Sequence, residues 1–210
     1  MSSYKTLVQE QIAGIRDIIP AYCTITIVYN PLHFLSNQSG APPFELVKKE
    51  VEGALNQKLP WENCPTKHHQ VPVCYHQSLA PDLAHIAQAK SLSIDDVINH
   101  HHSVTYRVYM IGFLPGFPYM ATVDEAIATP RHATPRTMVP AGSVGVAGHQ
   151  TGIYPSVSPG GWQLIGQTPV QLFNAHQQQP SLFQPGDLVS FYPISLTTFR
   201  QMKAHGHPHS

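Results

Sequence analysis

Apolar residues recur at two different spacings along this chain, and the change of spacing divides it. Leu7, Val8, Ile12 and Ile15 fall near the helical repeat, and Gly14 marks where that helix stops. Ile15 to Ile19 then reads as a short strand. After a turn at Pro20 and Ala21, Cys23, Ile25, Ile27 and Tyr29 alternate with Tyr22, Thr24, Thr26 and Val28, the period of a half-buried strand, so the two segments form a hairpin. Pro42 and Pro43 open a helix in which Phe44, Val47, Val51, Ala54 and Leu55 make one apolar face opposite Lys48, Lys49 and Glu52. His69 to Tyr75 returns as a strand. This order is a ferredoxin-like split unit if one more strand precedes Met1; without it the small sheet keeps an open edge.

Asp82 to Lys90 and Ile94 to His101 read as two short helices, the second opened by Ser93 with Asp96 three residues on, as in a capping box. From Thr105 the texture changes to short apolar runs separated by Gly and Pro. Tyr106 to Ile111, Met138 to Pro140, Val144 to Ala147, Trp162 to Ile165, Val170 to Phe173 and Leu188 to Tyr192 are the expected strands of a closed or nearly closed antiparallel barrel. The chain is therefore expected to be α+β, with an N-terminal module over 1–76, a helical connector over 77–104, a barrel over 105–200 and a loose tail over 201–210.

Composition narrows the function. Twelve basic residues balance twelve acidic ones, so no net field draws in a polyanion, and neither nucleic acid nor an anionic membrane is an expected partner. No stretch approaches the roughly 20 apolar residues of a membrane span, and the first residues lack a signal-peptide core, so the expected location is the cytoplasm. Cys23, Cys64 and Cys74 form no C-x-x-C pair and suit a reducing compartment.

The long loops between Gly112 and Gly166 are rich in Gly, Pro and aromatic residues, and such loops usually place groups around a ligand. Gly142, Gly145, Gly148, Gly152, Gly160 and Gly161 let backbone N–H groups approach an anion, or turn the corners of a small barrel; corners account for each taken singly. His100, His101 and His102 at a helix end suit the helix dipole and need no metal. His205, His207 and His209 lack a carboxylate or cysteine to complete a metal site, and no metal is expected in this chain. There is no G-x-x-x-x-G-K-[ST] loop, so an ATP site is unconventional or belongs to a partner. There is no G-x-S-x-G elbow, and Ser143 lacks the strand-to-helix context of one. Asp187 reads as a turn residue before the last strand.

Several strings occur together in order: Gly112-Phe113-Leu114-Pro115-Gly116-Phe117, Pro135-Arg136, Val139-Pro140-Ala141-Gly142-Ser143-Val144, Gln150-Thr151-Gly152-Ile153-Tyr154-Pro155, Pro159-Gly160-Gly161-Trp162 and Pro185-Gly186-Asp187. With Pro20-Ala21-Tyr22 upstream, they resemble the allophanate hydrolase subunit 1 or KipI family over nearly the whole chain. The resemblance implies a ferredoxin-like N-terminal module and a cyclophilin-like C-terminal barrel. It implies a non-autonomous subunit of the 5-oxoprolinase type, coupling ATP hydrolysis to lactam opening. The implied partners are a second barrel-containing subunit, of the allophanate hydrolase subunit 2 or 5-oxoprolinase C type, and a subunit of the 5-oxoprolinase A type. The alternatives are an inhibitor docking on a sensor histidine kinase, a urea or allophanate subunit and, from fold analogy alone, a prolyl isomerase.

For lactam chemistry, making the amide oxygen a phosphate leaving group requires fixed positive charge and hydrogen-bond donors where negative charge accumulates. Arg136 is the first candidate for that charge and Arg131 the second, because a guanidinium grips a carboxylate or phosphate bidentately; a surface ion pair is the competing role. Gln150 and Thr151 can read the amide. Tyr154, Trp162 and Phe117 are candidates for the pocket wall, against a plain core role. His149, directly before Gln150, is a candidate acid or base.

Overall fold

In the computed structural model, which describes residues 2–21, 24–35, 40–56 and 66–205, contacts divide between Pro65 and Thr66 into two units. The first contains α1 (Ser2–Glu10), β1 (Ile15–Pro20), β2 (Ile25–Tyr29), α2 (Pro31–Leu35) and α3 (Pro43–Asn56). β1 and β2 form the expected antiparallel hairpin, a two-stranded sheet, while α1 and α2 pack against α3. Leu7, Phe34, Val47 and Ala54 are its buried apolar residues. The apolar face read for α3 is only half used, since Phe44 and Leu55 stay exposed. Tyr22, Cys23 and Cys64 lie outside the described residues.

The strand that a ferredoxin-like module needs is not in this unit. β3 (His68–Val73) pairs parallel with β11 (Leu188–Pro193) in the second unit's sheet. Its run of buried Val71, Pro72 and Val73 is the reason, because a strand buried at successive positions belongs in a core covered on both faces. The helices read as a connector also belong to the second unit. α4 (Leu83–Lys90) packs on β10 (Gln163–Gln167) and α5 (Ile94–His102) on β11, burying Leu83, Ile86, Ala87 and Val97 in the main core. Ser93 and Asp96 form the expected capping box: Asp96 N–H donates to Ser93 Oγ at 3.0 Å, and Ser93 N–H to Asp96 Oδ2 at 3.1 Å.

The second unit is a curled seven-stranded sheet. β4 (Thr105–Ile111), β5 (Pro118–Ala121), β7 (Ser143–Ala147) and β8 (Gln150–Ile153) complete the order β10-β7-β8-β5-β4-β11-β3. All pairings are antiparallel except β11 with β3. The two edge strands meet at one end, where Cys74 and Gln167 exchange N–H···O bonds of 2.8 and 3.0 Å, so the curl closes there. A separate ribbon pairs β6 (Arg136–Val139) with β9 (Ser158–Gly160). Val170 to Phe173, expected as a strand, makes only a single bridge from Phe173 to Ser181. The chain after Arg200 continues α6 (Leu196–His205) as far as His205 instead of fraying, and 206–210 lie outside the described residues.

Inside the sheet runs a buried polar chain. Tyr75 Oη lies 2.8 Å from His101 Nδ1, His101 Nε2 lies 3.0 Å from Thr151 Oγ1, and Thr151 donates onward to the Gly145 carbonyl at 3.0 Å. Because Thr151 gives its proton to Gly145, His101 Nε2 carries hydrogen and Nδ1 accepts from Tyr75. Burial drives the His101 pKa down to about 3, with His102 adding to the shift, and its ring stacks on Phe191 at 4.7 Å. His101 is therefore a neutral core residue and not a cation serving the helix dipole; beside it, His100 meets Asp124 at 2.8 Å and His102 meets Asn99 at 3.1 Å.

Candidate functional site

The alternation of strands decides which residues can meet. Met120, Thr151 and Val146 are paired across β5, β8 and β7 and all three are buried in the main core. One residue along, Tyr119, Gly152 and Gly145 are paired on the opposite face. There the two glycines leave room for rings: a Cβ at Gly152 would lie 2.9 Å from Phe117, and one at Gly145 would lie 3.0 Å from the Trp162 Cβ. These glycines are neither corners nor anion donors but the flat ground on which an aromatic cluster stands.

That cluster lines a cavity of about 270 Å³. Phe117 lies edge-on to Tyr154 at 5.1 Å and to Trp162 at 5.4 Å, with Tyr119 5.7 Å from Trp162 and Phe113 5.6 Å from Phe117. Pro135, Pro159, Gly160 and Gly161 complete the lining, and Tyr154 sits directly against Gly160, where any Cβ would collide with its phenol oxygen. Arg131 is the cation of the cavity, its guanidinium carbon 5.6 Å from the Trp162 ring centroid, a cation–π contact. Among the described residues no carboxylate pairs with it. Burial raises the pKa of Tyr119 and of Tyr154, although nearby Arg131 pulls both the other way. Both phenols remain hydrogen-bond donors at neutral pH.

Four of the expected residues, Phe117, Arg131, Tyr154 and Trp162, meet in this cavity, and four do not line it. Arg136 donates from Nη2 to Asp82 Oδ1 at 2.5 Å and from Nη1 to the Trp162 carbonyl at 3.4 Å, so its charge has an internal partner. The two arginines differ in surroundings: Arg136 is paired with Asp82, and Arg131 stands over Trp162. Thr151 is wholly buried in the polar chain, on the opposite face from the cavity lining. His149 is exposed beside Glu125, 3.4 Å from its carboxylate. Gln150 stands opposite Ala121 and Ala147, away from the lining.

Sequence reasoning missed Phe113, Tyr119 and Asp82. Tyr119 was signalled by its place one residue from the buried Met120; nothing local marked Asp82. Asp187 makes its turn contact, accepting from Gln184 N–H at 2.9 Å, and also meets His69 at 3.1 Å. Among the described residues no three His, Cys, Asp or Glu side chains cluster, and no helix is long and apolar enough to cross a membrane.

A family model described as the carboxyltransferase domain, subdomain C and D, matches residues 1–183. The chain belongs to this family, together with the B-type subunit of 5-oxoprolinase. It is 40% identical over 197 residues to the B-type subunit of the Bacillus subtilis 5-oxoprolinase, covering 93% of this chain and 82% of that one. It is 51% identical over 125 residues to the B-type subunit of the Haemophilus influenzae 5-oxoprolinase, covering 60% of this chain and 59% of the relative. Among solved structures, a conserved uncharacterized protein from Pyrococcus horikoshii superimposes with a TM-score of 0.62 at 40% identity, over 94% of this chain and 87% of that one. The urea carboxylase of Kluyveromyces lactis shares the fold at 19% identity with a TM-score of 0.70, and this chain spans only 20% of it. Two of these relatives are named as subunits, and the urea carboxylase is a much longer chain.

Proposed function

We propose that the chain is a non-autonomous subunit of an ATP-dependent 5-oxoprolinase, which opens the lactam of 5-oxo-L-proline to L-glutamate, and that the aromatic cavity of the second unit receives the substrate. The observation that carries this reading is a guanidinium without a carboxylate partner, placed over Trp162 at an aromatic cavity, in a chain 40% identical to a B-type 5-oxoprolinase subunit. The substrate is a nearly flat ring bearing a carboxylate. Arg131 is the matching cation, Trp162 and Phe117 offer faces and edges for the ring, and the phenols of Tyr119 and Tyr154 are donors for the lactam oxygen. The lactam oxygen attacks the γ-phosphate of ATP as ADP leaves, and the phenols hold that oxygen in place for the transfer. Water adds to the carbon bearing the phosphorylated oxygen, the C–N bond breaks as the ring nitrogen takes a proton, and a second water hydrolyses the resulting acyl phosphate to release phosphate and L-glutamate.

The partners in this reading are a second barrel-containing subunit, of the 5-oxoprolinase C or allophanate hydrolase subunit 2 type, and a subunit of the A type. ATP binds in the assembled complex, on a partner or at a surface shared with one, in the cytoplasm. The curled sheet of the second unit is, on the same reading, a cyclophilin-like barrel. Mixing purified subunits tests the proposal. ATP hydrolysis that depends on both 5-oxoproline and this chain is the expected result, and hydrolysis indifferent to this chain rejects it.

A further inference from the structure

An aspartate at the N-cap of a helix ordinarily turns its side chain onto the helix's own free N–H groups. Asp82 holds that position before α4 and makes no such bond. Its carboxylate, only 7% exposed, serves the cavity wall instead. Oδ2 accepts the Leu164 N–H at 2.6 Å, and Oδ1 accepts Arg136 Nη2, whose Nη1 reaches the Trp162 carbonyl. One carboxylate therefore grips the main chain around Trp162 twice, directly at Leu164 and through a guanidinium at Trp162. The loop carrying Arg131 is tied to the same stretch, with His132 N–H donating to the Gly161 carbonyl at 2.7 Å and Gln163 Nε2 to the Pro130 carbonyl at 2.9 Å. His132 Nε2 also lies 3.3 Å from Asp82 Oδ1, outside hydrogen-bond geometry.

From this geometry we infer that Asp82 is a positioning residue for the cavity: by holding Arg136 and Leu164 it fixes the Trp162 wall and, through the loop ties, the place of the Arg131 guanidinium over that ring. Neither Asp82 nor Arg136 lines the cavity, so their effect is exerted through Trp162 and Arg131. The inference rests on the substrate site proposed above for its kinetic half alone; the brace itself is a property of the free chain. An amide at position 82 still accepts one N–H but leaves the half-buried Arg136 charge without its counter-ion, and a group so placed seeks solvent.

The experiment uses the full chain with Trp61→Phe, which leaves Trp162 as the only tryptophan. Asp82→Asn is expected to shift Trp162 emission and increase its quenching by acrylamide. In the reconstituted complex the same variant should raise KM for 5-oxoproline about tenfold, leave KM for ATP unchanged, and be partly rescued by Asp82→Glu. Should Asp82→Asn not fold, Arg136→Lys, which keeps a cation beside Asp82 but loses the fork to Trp162, carries the same expectations. Emission and quenching equal to the parent overturn the inference whatever the activity does. A fall in kcat with both KM values unchanged also overturns it. Altered emission with unchanged 5-oxoproline kinetics upholds the brace and rejects the cavity as the substrate site.

Discussion

Acidification to about pH 5 should cost the second unit about 2 kcal/mol of stability through His101 alone. The folded-state pKa is about 3 against an ordinary value of 6.5. Below pH 6.5 the unfolded chain binds a proton that the folded chain refuses, so this contribution is complete above that pH and is lost as the pH falls toward 3, at about 1.4 kcal/mol per unit. His101→Phe keeps the ring against Phe191 and removes both nitrogens. Near pH 7 the variant should be weaker by roughly 1–3 kcal/mol, because the buried Tyr75 hydroxyl loses its acceptor. Its stability should not fall through this site in acid, so the two proteins converge between pH 7 and 5. Urea melts followed by Trp162 fluorescence in the Trp61→Phe background, compared as differences so that other histidines and carboxylates cancel, measure this. Parallel pH profiles for parent and variant would refute a neutral buried His101.

Loss of the α5 capping box in Ser93→Ala should cost about 1 kcal/mol and lower the Tm of the second unit by about 2–4 °C, measured by calorimetry. Gly160→Ala forces a methyl group onto Tyr154 and should raise KM for 5-oxoproline while destabilising the unit by roughly 1–3 kcal/mol, read from saturation curves beside a thermal melt. Burial raises the phenol of Tyr154, so it stays protonated beyond its ordinary pKa. The ratio of kcat/KM between parent and Tyr154→Phe should therefore stay constant from about pH 7 to 9.5; a ratio that collapses toward one as the pH rises would show early ionisation.

Local signals were legible where one short segment contains its own explanation. The β1–β2 hairpin, the Ser93–Asp96 capping box and the Gly- and Pro-punctuated strands follow from period and turn chemistry over a few residues. Partner choice between distant segments was not legible. The apolar run Val71, Pro72 and Val73 asks for a core covered on both faces, but nothing local names β11 as the neighbour, because that pairing joins segments far apart in the chain. The site divides in the same way. Phe117, Tyr154 and Trp162 stand in dense Gly-Pro-aromatic strings, and those strings converge. Thr151 looked equally chemical, but strand parity turned it inward to His101. Arg136 and Arg131 differ in surroundings because Asp82, 54 residues before Arg136 (136 − 82), pairs with one and not the other.

The account depends on the second unit's aromatic cavity being the place where the substrate carboxylate is held. Saturation kinetics of the reconstituted complex with Arg131→Ala address this most directly. A rise of roughly 10- to 100-fold in KM for 5-oxoproline, with KM for ATP and the Tm of the free chain unchanged, is the expected outcome. An unaltered KM for 5-oxoproline would place the substrate elsewhere.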